Sequence, residues 1–137
     1  MTRPTKVWVG RGGRIRKSYR ESVVKKNILE YLLRRGVFAW NNPRGGAWTQ
    51  KGGKSGENYD AKGSFLRYGG PKGASDIIGI LPGGRFLAIE TKRTHGGKAS
   101  EEQIRFIDEV NRRGGLGFFA KNLDEAIEAL KPVIGGW

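Results

Sequence analysis

The sequence contains no cysteine and a single histidine, His95. Without cysteine there is no disulfide framework and no thiolate zinc site. A Cys-His pair likewise lacks its nucleophile, and one histidine cannot furnish a histidine-rich metal site. No apolar run approaches the ~18 residues that a membrane-spanning helix needs. The basic start of the chain also has no apolar signal-peptide core, so a soluble, cytoplasmic protein with no membrane partner is the expectation. Acid is scarce in the first half: residues 1–73 hold 17 Lys and Arg against 4 Asp and Glu, whereas residues 74–137 hold 9 of each. The whole formal charge of +13 therefore belongs to the first part. Such asymmetry implies a polyanionic partner there, most simply a nucleic-acid backbone. A solubility-driven surface would carry the same charge, while an anionic membrane would require an amphipathic basic helix with an aromatic face, which the sequence lacks.

What is present suffices for one modest core, since 137 residues with 36% hydrophobic content amount to one ordinary domain. Residues 1–17 read as a basic arm with six Lys or Arg and no acid, which follows phosphates, crosses to a partner subunit or is an untethered tail. The domain proper is expected over residues 18–131, with a C-terminal tail at 132–137. Ser18 to Arg35 carries Val24, Ile28, Tyr31 and Leu32 at helical spacing and stops at Gly36. Val37 to Trp40 reads as a strand. Residues 41–72 are glycine-rich, with basic residues interleaved with Trp48, Tyr59, Phe65 and Tyr68. That mixture suits a surface that holds phosphates and stacks on exposed bases, or else the aromatics pack under the loop. Phe65 to Tyr68 has the composition of a further strand beside the central hairpin. Ser100 to Arg113 reads as a second helix with Ile104, Ile107 and Val110 toward the sheet, opened by the capping box Ser100-x-x-Gln103. Leu116 to Ala120 reads as a strand, and Leu123, Ala126, Ile127 and Leu130 as the stripe of a last helix opened by Asn122. The order α-β-β-β-α-β-α predicts an α/β domain with a mixed central β-sheet flanked by helices.

The stretch from Gly73 to Lys92 carries the chemistry. Two apolar runs, Ile77 to Leu81 and Phe86 to Ile89, flank Pro82-Gly83-Gly84 and read as a β-hairpin. A turn centred on Gly83 sets Ile77 opposite Ile89 and Asp76 opposite Glu90. Like charges so opposed are destabilising unless a cation lies between them, and Lys92 projects on the same face as Glu90 because strand side chains alternate. Magnesium takes one or two carboxylates and completes its shell with water and phosphate, so an Asp, a Glu and a Lys converging here outline a phosphodiesterase site. The plainer alternative has Asp76 capping a turn and Glu90 pairing with Lys92. Both faces of the hairpin are apolar, however, and isolated charge in such a setting is costly. Glu21 lies within the apolar arc of the first helix, pointing a carboxylate inward; alternatively Ser18-Tyr19-Arg20-Glu21 is a capping box.

The spacing of Asp76 and Glu90-Thr91-Lys92, with G-A-S-D-I-I-G, G-R-F-L-A-I-E-T-K and S-x-x-Q around it, resembles the VRR-NUC branch of the PD-(D/E)XK nucleases over roughly Glu21 to Leu130. Ser75 stands where the superfamily name has proline. The resemblance implies a restriction-endonuclease-like core and a Mg2+- or Mn2+-dependent DNA endonuclease similar to Holliday junction resolvases. It implies Asp76, Glu90 and the Thr91 carbonyl as metal ligands, joined by Glu21 from the first helix in preference to Glu30. Lys92 would position or activate the attacking water, and Gln103 would sit beside the site without binding metal. The expected products carry 5′-phosphate and 3′-hydroxyl ends, the expected substrate is branched DNA, and the expected assembly is a homodimer. Two other readings stand beside it: the same nuclease in a repair or restriction-like role on other DNA, and a non-catalytic nucleic-acid-binding protein with no special role for Asp76 or Glu90.

Overall fold

The computed structural model describes residues 4, 6–9, 15–43, 45–48 and 65–135. Within the stretch expected as a basic arm, β1 (Lys6–Val9) and β2 (Ile15–Ser18) pair antiparallel, Lys6 opposite Ser18. That pairing holds Ser18 in extended backbone, so the first helix starts later than expected. Helix α1 (Glu21–Arg34) has Arg20 as its N-cap with no side-chain capping bond, which rules out the Ser18–Glu21 capping box. Val24, Ile28, Tyr31 and Leu32 are its buried residues, the stripe that the helical spacing predicts. β3 (Phe38–Asn41) follows, then β4 (Gly45–Trp48) and β5 (Phe65–Tyr68). β5 pairs with β4, Gly45 opposite Tyr68, and not with the central hairpin as expected. The place beside the hairpin is already taken by β3. Residues 49–64 lie outside the described residues.

The central hairpin is β6 (Ile77–Ile80), a short 3-10 turn at Pro82–Gly84 and β7 (Phe86–Thr91). Its register is the expected one, Ile77 opposite Ile89 and Ile80 opposite Phe86. Gly83 and Gly84 both sit at φ +84°, a region open to glycine and strained for other residues, and the Leu81 amide closes the loop on the Arg85 carbonyl at 2.8 Å. Next come α2 (Glu101–Arg112), β8 (Leu116–Ala120) and α3 (Leu123–Ile134). α3 thus continues through residues 132–134, which the sequence assigned to a tail, and the Arg35 guanidinium donates to the Ile134 and Gly135 carbonyls at its end.

β3, β6, β7 and β8 form one four-stranded sheet in that order, antiparallel except for the parallel β7–β8 pair. The molecule is therefore an α/β protein with a mixed sheet flanked by helices. Ile77, Leu87 and Ile89 are fully buried in a cluster with Val24, Ile28, Leu32 and Leu130 from α1 and α3, each such side chain worth about 1.5–3 kcal/mol of burial. On the other face Ala88 packs with Ile107 and Val110 of α2. Ile104 was expected to join them but is 46% exposed. The main contacts of α2 with the sheet are to β7 and β8, and they are made by Ile107 and Val110, leaving Ile104, a turn nearer the start of the helix, at the margin of that footprint. Beyond it, Phe38, Ile80 and Phe86 form a cross-strand row that is 69%, 44% and 41% exposed.

Candidate metal centre

The hairpin register determines the site. Because Ile77 opposes Ile89, continuing the ladder by one residue brings Asp76 to Glu90 at the mouth of the sheet. Asp76, Glu90, Thr91 and Lys92 are all buried. Glu21, on the exposed first turn of α1, supplies a third carboxylate. One oxygen from each of Glu21, Asp76 and Glu90 lies within 4.8 Å of the others. Glu30 is exposed elsewhere on α1 and is no part of this group, which matches the choice of Glu21 made from the helical arc.

Each group is held from a different element. Asp76 Oδ2 accepts from the Thr91 amide at 3.1 Å and from the Thr91 hydroxyl at 2.9 Å, so Thr91 orients the carboxylate by backbone and side chain together. Gln103, in the first turn of α2, ties the remaining parts. Its Oε1 accepts from Lys92 Nζ at 2.8 Å and from the Ser100 amide at 2.9 Å, and its Nε2 donates to Glu90 Oε1 at 2.7 Å. The Ser100–Gln103 capping box is present as the sequence suggested, and the same glutamine serves the helix and the site. Lys92 Nζ also lies 3.6 Å from Glu90 Oε1, while its amide bonds the Ala120 carbonyl at 2.9 Å.

Two anchors escaped the sequence reading. Asn42 donates its amide to the Asp76 carbonyl at 2.7 Å, and its side chain donates to the Gly69 and Ser75 carbonyls, fixing the chain that leads into Asp76. Thr94 exchanges hydrogen bonds with Tyr19, its hydroxyl accepting from the Tyr19 amide at 3.1 Å and its amide donating to the Tyr19 carbonyl at 3.2 Å. That exchange sets the start of α1, and hence Glu21, against the end of β7. Their only sequence signal is residue type, since Asn and Thr are the usual side chains that bond backbone in irregular segments.

Three carboxyl groups beside one amine leave an excess of anionic ligands that a cation can balance. The donors are all oxygen, as hard divalent cations prefer, and opposite ligands stand about 4.0–4.2 Å apart around Mg2+ and about 4.6–5.2 Å apart around Ca2+. Three oxygens within 4.8 Å of one another are close enough for one such ion to gather, so the acidic triad can hold a metal ion. Among the described residues no helix is long and apolar enough to cross a membrane. Comparison of the chain with models of known families, with curated proteins and with solved structures finds no match.

Proposed function

We propose that the protein is a divalent-metal-dependent DNA endonuclease, with the restriction-endonuclease-like core and VRR-NUC kinship that its motif resembles. The observation that carries this reading is the meeting of Glu21, Asp76 and Glu90 oxygens within 4.8 Å, next to a lysine fixed at 2.8 Å by Gln103. Asp76, Glu90 and the Thr91 carbonyl would hold Mg2+ or Mn2+, with Glu21 direct or through water. When bound, such an ion neutralises phosphoryl charge and lowers the pKa of its water. The protein's own part is positional. Thr91 keeps Asp76 aimed, Gln103 keeps Glu90 and Lys92 in one plane of contact, and the Lys92 ammonium orients the nucleophile or meets the charge developing on the phosphate. Attack in line would leave 5′-phosphate and 3′-hydroxyl ends.

Branched DNA such as a Holliday junction, cut by a homodimer, is the substrate and assembly that the resemblance favours. The exposed Phe38, Ile80 and Phe86 row supports a second copy as its cover. With +13 on each chain, two copies repel except where contact is apolar. The test is cleavage of a labelled four-way junction and a matched linear duplex, with Mg2+, Mn2+ or EDTA, for the unaltered protein, Asp76→Ala and Lys92→Ala. Metal-dependent paired nicks in the junction alone, lost in both variants while DNA binding persists, are the expected result. Equal cutting of both substrates removes the junction preference, and folded, DNA-binding protein that cuts neither removes the nuclease.

A further inference from the structure

Beside the carboxylates lies a groove of about 450 Å3, within the size range of small-ligand sites. It is lined by Gly45 and Tyr68 of the β4–β5 pair, by the segment from Gly70 to Gly73, and by Ser100, Glu102 and Gln103 at the start of α2. Gln103, which lines the groove, also bonds Glu90 and Lys92, so one side chain joins the groove to the candidate metal centre.

Tyr68 is 55% exposed and stands opposite Gly45 in the ladder. A Cβ at position 45 would lie 2.5 Å from the Tyr68 hydroxyl oxygen and 2.8 Å from Cζ. The ring can lie down across β4 only because residue 45 has no side chain. The hydroxyl end of the ring thus lies over the Gly45 backbone while more than half of the residue stays open to solvent, and an exposed aromatic ring held in place is what a base can stack on. Across the groove Lys72 Nζ pairs with Glu102 Oε1 at 3.1 Å. The Glu102 carboxyl is held below its ordinary value of 4.5, first by its own backbone amide and then by Lys72. The pair therefore offers one acceptor and one donor with no net charge between them. A phosphate would meet the Glu102 anion, whereas a base edge, which carries donors and acceptors side by side, finds partners for both.

We propose that this groove seats one unpaired nucleobase of the DNA strand whose phosphate lies at the carboxylates, stacked on Tyr68 with its edge toward Lys72 and Glu102. This rests on the nuclease reading and deepens it, because a base inside a duplex cannot enter such a slot without leaving its stack. The substrate strand is then single-stranded or splayed beside the cut.

The test uses the full chain in EDTA and a single-stranded DNA oligonucleotide carrying one 2-aminopurine, whose fluorescence falls when the base stacks. The unaltered protein and Tyr68→Phe should quench it. Tyr68→Ala should not, and should bind roughly 5- to 150-fold more weakly, the usual worth of one base on an aromatic ring. Gly45→Val should reproduce that loss with the tyrosine still present, because the new side chain displaces the ring. Circular dichroism confirms that each variant is folded. Quenching that survives in Tyr68→Ala, or its absence in the unaltered protein, overturns the proposal. Tyr68-dependent quenching by a protein that cuts no DNA keeps the platform and discards the nuclease, so the two failures are distinguishable.

Discussion

Asp76 and Glu90 face each other at buried positions, and Glu21 adds a third carboxylate. Opposed like charges weaken a sheet, so the fold without metal carries a cost that a cation relieves. Asp76→Asn should accordingly melt at or above the temperature of the unaltered protein in EDTA. In Mg2+ at about 100 times its dissociation constant, the unaltered chain should gain about 2.7 kcal/mol and Asp76→Asn much less, as thermal melts would report. An equal gain for both would mean that the metal binds elsewhere. Gln103 poses a different question, because it bonds Lys92 and Glu90 together without being a carboxylate of the triad. Gln103→Leu strips both of a partner, at about 1–3 kcal/mol for each group left unsatisfied. Turnover should fall by at least tenfold with DNA affinity little changed; a loss confined to affinity would assign Gln103 to substrate binding.

At the scale of elements, α2 contributes its first turn to the site and its middle to the sheet. Ser100→Ala removes the bond that the Gln103 amide donates to Ser100 Oγ, a cap worth about 1 kcal/mol. Since Gln103 also reaches Lys92, denaturant midpoint and turnover should fall together in this variant; a drop in stability with unaltered turnover would show the two roles to be separable. What the sequence disclosed follows the same division. The hairpin, its register, Asp76, Glu90 and the Ser100–Gln103 cap were legible because a Pro-Gly-Gly turn and a capping box act through neighbouring residues. Glu21 was legible from its helical arc, although its competing cap was excluded only once β2 had engaged Ser18. Asn42 and Thr94 were not legible, because Thr94 meets Tyr19 across 75 residues and no local pattern encodes that distance. β4 and the β1–β2 pair were missed for another reason: glycine and basic residues there hide the alternation that marks a strand.

For the molecule as a whole, charge and exposed apolar surface act on different faces of the argument for assembly. The basic first half predicts DNA binding that weakens steeply with salt, whereas a dimer closed over Phe38, Ile80 and Phe86 should hold at high salt, since apolar contacts are not screened. Ile80→Lys should shift sedimentation from dimer to monomer without lowering the melting temperature appreciably, because Ile80 is already 44% exposed. A dimer that persists in this variant would place the interface elsewhere.

The central hairpin has a historical implication as well. Moving the register by one residue turns every side chain of a strand to the opposite face, so an insertion in the turn at Pro82–Gly84 that slipped the pairing by one would send Glu90 to one side of the sheet and leave Asp76 on the other. The identities of the turn residues are free to drift within what left-handed backbone permits, but their number is tied to the register they set. Across descendants of this gene, the interval from Asp76 to Glu90 should resist length change unless a bulge or a longer loop keeps the phase.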